Sequence, residues 1–387
     1  LNNTGQSGGT PDADIDAPEG WDVTTGQTST VIAVVDTGCD LNHPDLQGKF
    51  IAGHDFVNDD SDPQDDNGHG TYVAGIAAAS TNNTTGGAGV LWQNQIMPLK
   101  VLGSDGSGSY EDVTSAIVYA ADNGVDVVNM SLGGSDPSDT LLDAMEYAYN
   151  AGVVLVSATG NDNGGVLYPA AYTQFGIAVA ATDHNDQRAA FSNYGPEVDV
   201  AAPGVNIYST WWDDTYSSAS GTSASAPFVS GLAGLLLSQD PALLPAEVEE
   251  KIKSTAEDVN SATAPGDDVY LGAGRINAHQ AVIQPPIPPE DVQATVTYEY
   301  DKNGNQTKMT IDENGIKKNT IYEYDYENRL TKITYPDTTT SEYRYDGGGR
   351  RIQANENTEI TKYFYDGLNV IIERDWNNVT RARYTRG

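Results

Sequence analysis

Ser223 stands in the run Gly221-Thr222-Ser223-Ala224-Ser225-Ala226-Pro227, directly ahead of an apolar stretch at 228–237. Small residues leading into an apolar run predict a tight loop entering a buried helix, with the serine at the helix N-terminus. Unpaired N–H groups and the helix dipole favour negative charge there. That suits a hydroxyl whose attack on a carbonyl leaves an oxyanion beside it. His69 lies in Asn67-Gly68-His69-Gly70-Thr71, where glycines allow close approach of backbone or substrate. The histidines are at 43, 54, 69, 184 and 279, and only His69 has a glycine frame at a helix start, the setting of a general base. Asp36 follows the apolar, β-branched run 31–35 and opens Asp36-Thr37-Gly38. It therefore puts a carboxylate at the C-terminal edge of a buried strand. Each feature alone has an ordinary explanation in packing or turn capping. Together they supply a nucleophile, a base and a carboxylate.

These groups need a scaffold that brings them together. Beyond 31–35, strands are expected at 96–102, 125–130 and 153–157, and helices after His69, at 111–123 and at 138–151. Asp122-Asn123-Gly124 is a helix stop signal. Strands alternating with helices predict an α/β fold with a doubly wound, mostly parallel sheet. Parallel strands share a direction, so Asp36, Ser131 and Asn161, each just past a strand, fall on the same sheet edge.

Composition adds bounds. The 387 residues include one cysteine, Cys39, so no intrachain disulfide can form. Residues 1–284 carry 38 acidic against 6 basic residues, net −32, while 285–387 carry 17 against 14, net −3. So acidic a front argues against nucleic-acid and anionic-membrane partners. No run of 18 apolar residues is present, so no membrane span is expected. In the front half, Asp55, Asn58, Asp60, Asp62 and Gln64 share a loop with Asp59, Asp65 and Asp66. Such alternating oxygen side chains suit a hard cation such as Ca²⁺. Composition then changes at Gln284-Pro285-Pro286-Ile287-Pro288-Pro289-Glu290, a stiff extended spacer. The expected division is a front domain over 1–284, a linker over 285–290 and a second module over 291–387.

Three front-domain motifs occur in the order Val35-Asp36-Thr37-Gly38, Gly68-His69-Gly70-Thr71 and Gly221-Thr222-Ser223, with Asn161 between the second and third. On these residues the front domain, roughly 1–283, resembles the subtilisin-like serine proteases, most of all their thermitase branch. The resemblance implies that Ser223 attacks a peptide carbonyl, His69 moves the proton and Asp36 orients His69. Asn161 and the Ser223 N–H would form the oxyanion hole. It further implies substrate-binding edges at Gly106-Ser107-Gly108 and Ser131-Leu132-Gly133. Ala158-Thr159-Gly160 would line an open primary specificity pocket with broad preference. Three structural Ca²⁺ sites are implied: Asp45 with Thr81, Asn83, Thr85 and Gly87; Asp55 with Asn58, Asp60, Asp62 and Gln64; and, as a weaker set, Ala170, Tyr172 and Asp199. Ala224, Phe228, Thr159 and Tyr72 depart from the residues usual in the family, and none removes a catalytic group. Residues 1–6 match the interior of longer members, so upstream segments, including a calcium ligand and a folding propeptide, are expected outside this chain. The family places the protein outside the cell or at its surface, as a monomer acting on polypeptides.

The second module repeats Tyr298-Glu299-Tyr300-Asp301, Tyr322-Glu323-Tyr324-Asp325, Tyr343-Arg344-Tyr345-Asp346 and Tyr363-Phe364-Tyr365-Asp366. Turn signals at Asn303-Gly304-Asn305, Glu313-Asn314-Gly315 and Asp346-Gly347-Gly348 separate alternating strands. This resembles the tyrosine–aspartate repeats of Rhs-type proteins and teneurins, and implies a small antiparallel β module, a partial sheet of a longer parent. A tyrosine ladder can bind glycans, but cross-strand packing is the expectation adopted. A rival reading makes the repeats a cell-surface or toxin-delivery scaffold whose protease trims its own chain. A catalytically dead binding domain is disfavoured by the complete set of catalytic residue types.

Overall fold

The computed structural model describes residues 3–5, 8–284, 295–313, 316–336, 338–347, 349–356, 359–366, 369–375 and 380–383. The proline spacer at 285–290 lies outside the described residues. The chain divides into two units, Leu1–Ile287 and Pro288–Gly387.

In the first unit the order is α1 (Ala17–Trp21), β1 (Gly26–Asp36), β2 (His54–Asp55), α2 (His69–Ala78), β3 (Gln93–Lys100), α3 (Tyr110–Asp122), β4 (Val127–Met130), α4 (Asp139–Asn150) and β5 (Val154–Ala158). Then come β6 (Ile177–Thr182), β7 (Val200–Pro203), β8 (Ile207–Trp211), β9 (Thr215–Ala219), α5 (Thr222–Gln239), α6 (Pro245–Ser254) and α7 (Ala278–Ile283). Seven strands form one sheet in the order β2-β3-β1-β4-β5-β6-β7, parallel throughout. This is the α/β sheet that the alternation predicts. β1 is central, buried from Val31 to Asp36, because its side chains meet helices on both faces. One apolar layer packs α2 and α5 against the sheet, the other α3 and α4. The strand order turns around at β1, so Asp36 emerges where such sheets form their sites.

Helix α5 is apolar on every side and therefore central. Only Ser223 and Gln239 of its 18 residues escape burial. Two details differ from the sequence expectation. Strand β4 starts at Val127, since Gly124 at φ 69 ends α3 and spends two residues on the turn. The antiparallel hairpin β8–β9, with Asp213 and Asp214 both at positive φ, has no counterpart in the expectation.

The described residues of the second unit form a nine-strand antiparallel meander, β10 (Thr295–Tyr300), β11 (Gln306–Glu313), β12 (Ile316–Tyr324), β13 (Leu330–Thr334), β14 (Thr340–Tyr345), β15 (Arg351–Glu356), β16 (Glu359–Asp366), β17 (Asn369–Asp375) and β18 (Thr380–Arg383), each paired with the next. The register breaks at the second tyrosine of each repeat, at Glu299/Tyr300, Glu323/Tyr324, Arg344/Tyr345 and Phe364/Tyr365. A β-bulge there turns the strand into the next hairpin. In three of the repeat turns the aspartate accepts N–H groups from the described residues of its own loop. Asp301 Oδ1 accepts the N–H of Asn303 and Asn305, Asp325 Oδ1 those of Glu327 and Arg329, and Asp346 Oδ1 that of Arg350. The third residue after each aspartate, Gly304, Asn328 or Gly349, has positive φ, which explains why glycine or asparagine stands there. Gly348, Asn314 and Gly315 of the expected turns lie outside the described residues.

Candidate active site

Strand β1 delivers Asp36, fully buried, and its Oδ1 accepts a 2.7 Å hydrogen bond from His69 Nδ1 and another from Thr37 N–H. His69 is the first residue of α2, and Gly70 brings that helix so close that a Cβ would lie 2.0 Å from the Gly38 carbonyl. Asp65, 3% exposed, fixes the same helix start, which lacks a capping side chain at Gly68. Its Oδ1 accepts from Gly68 N, Asn67 N and Thr37 Oγ1, and its Oδ2 from Thr71 N and Oγ1. Burial opposes charging the His69 ring, but the Asp36 charge and hydrogen bond, with help from Asp65, hold its pKa above the ordinary histidine value. Since Nδ1 is committed to Asp36, Nε2 is left as the proton acceptor.

Ser223 is the second residue of α5, at the helix start the sequence predicts. Five residues into the helix, Pro227 has no N–H to give the Ser223 carbonyl four residues back. Ser131 Oγ donates to that carbonyl instead, at 3.0 Å, and in return Ser223 Oγ donates to the Ser131 carbonyl at 3.2 Å. Ser131 Oγ itself accepts from Asn129 Nδ2, and Asn129 Oδ1 accepts from Ser230 Oγ of α5. The Ser223 hydroxyl thus rests against Ser131, and no Ser223–His69 hydrogen bond is formed. Asn161 is placed by Thr222. Its Oδ1 accepts from Thr222 N at 2.8 Å and Thr222 Oγ1 at 3.1 Å, so its Nδ2 is the group left to donate.

A groove of about 590 Å³ runs from His69 between Gly106-Ser107-Gly108 on one side and Ser131-Leu132-Gly133 on the other. Tyr110, Val113, Leu141 and Tyr168 supply an apolar part of its lining. Ala158, Thr159 and Gly160 are buried and not among the residues lining this groove, and Thr159 Oγ1 has no partner among the described residues.

The three implied metal sets differ in how far they come together. Asp45 is fully buried, and its carboxylate takes Asn83 Nδ2, Gly87 N and Tyr216 OH, with Gly86 so close that a Cβ would lie 1.9 Å from Oδ2. Both of its oxygens are thus taken by N–H and O–H donors, and among the described residues no group of three or more His, Cys, Asp or Glu side chains is placed to hold a metal. Thr81 turns instead to the Ala79 and Gly89 carbonyls, and Thr85 N–H donates to Asn83 Oδ1. In the second set Asp55 binds Asn58 and, through the backbone, Asp60, whose Oδ1 accepts from Asp62 N. Gln64 is drawn away, accepting from Leu41 N and reaching Asp40. In the third set Asp199 is engaged on both oxygens, by Lys253 Nζ at 2.9 Å and Ala178 N–H at 2.9 Å, and Tyr172 OH pairs with Ser138. A lysine ammonium already holds the position of a cation there. The sequence reading did not find Asp65, Thr222 or Lys253. Thr222 stands inside the Gly221-Thr222-Ser223 motif and Asp65 two residues before Asn67-Gly68-His69, without a signal of their roles, and nothing in the sequence marks Lys253 as the partner of Asp199.

Comparison with known proteins follows this geometry. The subtilase family model matches residues 27–274, and an RHS repeat model matches 300–340 and 324–357. Thermitase of Thermoactinomyces vulgaris is 48% identical over 269 residues, 69% of this chain and 93% of that protein. A thermophilic serine proteinase of Bacillus sp. strain AK1 is 48% identical over 263 residues, 68% of this chain and 64% of that protein. Among solved structures, a protease from Pseudoalteromonas arctica PAMC 21717 superposes with a TM-score of 0.64 at 33% identity, covering 73% of this chain and 96% of that one. With the parallel sheet and the family match over most of the front unit, this chain belongs to the subtilase family of serine endopeptidases.

Proposed function

We propose that the chain hydrolyses peptide bonds in added polypeptides with Asp36, His69 and Ser223 as its catalytic triad. The observation that carries this reading is the Asp36–His69 bond of 2.7 Å at one end of a groove whose wall, Ser131, holds the hydroxyl of Ser223. An extended substrate adds as a strand between residues 106–108 and 131–133. The Ser223 hydroxyl leaves the Ser131 carbonyl and turns to His69 Nε2. It then attacks the carbonyl carbon as its proton passes to the imidazole, and Asp36 stabilises the resulting cation. The oxyanion is met by Ser223 N–H, at the start of α5, and by Asn161 Nδ2. His69 returns the proton to the leaving amine, and water then completes the cycle by the same steps.

The apolar part of the groove lining supports acceptance of large apolar side chains, with broad preference. Asp45 and Asn83, and separately Asp55, Asn58 and Asp60, would hold Ca²⁺, which when bound neutralises part of the front unit's negative charge. The chain's place is outside the cell, as a monomer. Among the described residues no helix is long and apolar enough to cross a membrane. The test is hydrolysis of a peptide anilide, with an aromatic residue before the scissile bond, by wild type and Ser223→Ala in excess Ca²⁺. Turnover abolished by the substitution supports the reading. Equal turnover, or none from folded wild type, overturns it, and cleavage only of the chain's own flanks favours a self-processing scaffold.

A further inference from the structure

Asn193 belongs to none of the sequence motifs, yet it is 1% exposed and spends its whole amide on one loop. Its Nδ2 donates to the Thr159 carbonyl at 3.1 Å and the Gly165 carbonyl at 2.8 Å. Its Oδ1 accepts from Asp162 N–H at 2.8 Å and Gly164 N–H at 3.0 Å. An asparagine side chain has two donor hydrogens and two principal acceptor directions, so every one is used. All four bonds fall on the backbone of 159–165, and they bracket Asn161. The backbone adds to the clamp: Asn193 N–H donates to the Gly160 carbonyl, Tyr194 N–H to the Gly164 carbonyl, and Asn163 N–H to the Phe191 carbonyl. Gly160, at φ 109, leaves space for this amide, because a Cβ there would lie 2.4 Å from Asn193 Nδ2.

Asn161 is therefore held from two directions. Thr222 takes its side-chain oxygen, and Asn193 fixes the backbone on either side of it. Loops usually tolerate positional drift, but a donor aimed at a developing oxyanion does not. Misplacement by about 1 Å can cost on the order of 100-fold in rate. Among the described residues no other side chain bonds this loop on both flanks of Asn161.

We propose that Asn193 is a positioning residue for the oxyanion hole, acting on turnover through Asn161. The proposal rests on the triad reading above and goes beyond it by naming what holds the donor loop in register.

The test is a double-mutant cycle on the full chain, reading kcat and KM on the peptide anilide and the fold by near- and far-ultraviolet circular dichroism. Asn161→Ala should lower kcat by about 100- to 1,000-fold. Asn193→Ala should lower it by roughly 10- to 100-fold, with KM changed by less than about 3-fold, as expected for an interaction made in the transition state. In the double variant the Asn193 change should add almost nothing, because the group it positions is gone. Asn193→Asp keeps the acceptor bonds from Asp162 and Gly164 N–H but turns a buried carboxylate oxygen onto the Thr159 and Gly165 carbonyls, so it should lose at least as much kcat as Asn193→Ala. If the alanine variant does not fold, the cycle is run with Asn193→Ser, whose small hydroxyl can serve either a carbonyl or an N–H of the loop, and should show the same non-additivity. Losses that multiply in the double variant, or a raised KM with unchanged kcat, overturn the proposal while leaving the triad reading intact. A folded wild type with no Ser223-dependent turnover overturns both.

Discussion

The two units make their sheets with opposite resources. In the first, β4, β5 and β6 are buried along their whole length and β1 along most of it, and almost every residue of α5 is buried as well. In the second, the described side chains that reach burial are Thr320, Ser341, Tyr343 and Ala354. Order there comes from turn aspartates and from cross-strand contacts. Arg329 lies over the Tyr345 ring at 5.1 Å and Arg351 over Tyr343 at 4.4 Å, and Tyr345 OH donates to the Leu330 carbonyl. Tyr298 and Tyr300 of the first repeat remain 50% and 60% exposed, while Tyr343 of the third is 9% exposed. A repeat gains cover only from stacked neighbours, as expected of a quasi-one-dimensional array. A thick core can hold catalytic atoms to fractions of an ångström, whereas a thin ladder supplies reach and surface.

If that contrast is right, substitutions in the two units should differ in kind, and the largest effects belong to the first. Ser223→Ala should lower kcat by about 10⁶-fold, read on the peptide anilide, with circular dichroism unchanged. Asp36→Asn should cost about 10⁴-fold, because the wrong histidine tautomer is then favoured. Turnover should also fall as pH drops below the raised pKa of His69, so the acidic limb of kcat/KM should lie above pH 6.5. A limb centred at or below 6.5 would remove the role given to Asp36. The same raised pKa makes the His69–Asp36 pair most stabilising below the unfolded histidine value, and that contribution is lost as pH rises through the folded value. The enzyme therefore becomes active over the window in which this pair stops adding stability.

Smaller effects sharpen the comparison. Lys253→Met leaves Asp199 facing Glu249, whose pKa burial and then Asp199 already push up to about 7. A fully buried pair would lose more, but this one is partly solvated, so about 2 kcal/mol is expected in urea unfolding. Added Ca²⁺ should restore part of it, as a cation replacing the ammonium. Asp346→Ala removes a turn closure in the second unit and should cost about 1 kcal/mol there, with kcat unchanged. A fall in kcat would show that the repeat sheet supports catalysis.

Much of this was legible in the sequence. The run 31–35, the glycine frame of His69 and the small-residue entry to α5 reflect local rules: burial on both faces, close approach and an apolar helix. The parallel sheet and the tyrosine–aspartate hairpins followed from periodicity. What stayed hidden depends on tertiary meeting of distant segments. Asn193 lies 32 residues beyond Asn161 and carries no periodic or turn signal of its own. The capture of Asp199 by Lys253 turns on α6 meeting the residue just before β7, and the departure of Gln64 toward Asp40 depends on the loop after β1. Local pattern places residues on elements, but it does not say which of two oxygen-rich neighbours wins a side chain.

The hydrogen that Pro227 lacks has a further consequence. An ordinary residue would let α5 complete its own first turn, and the nucleophile would be shaped as soon as the helix formed. Here the Ser223 carbonyl waits for Ser131, a residue 92 positions earlier in the chain. The cutting edge is thus assembled only when two remote segments have docked, so a half-folded chain is a safe chain. In refolding, turnover should appear with the last recovery of near-ultraviolet dichroism and not with the earlier return of helix, which would spare unfinished neighbours from being cut by an enzyme still being made.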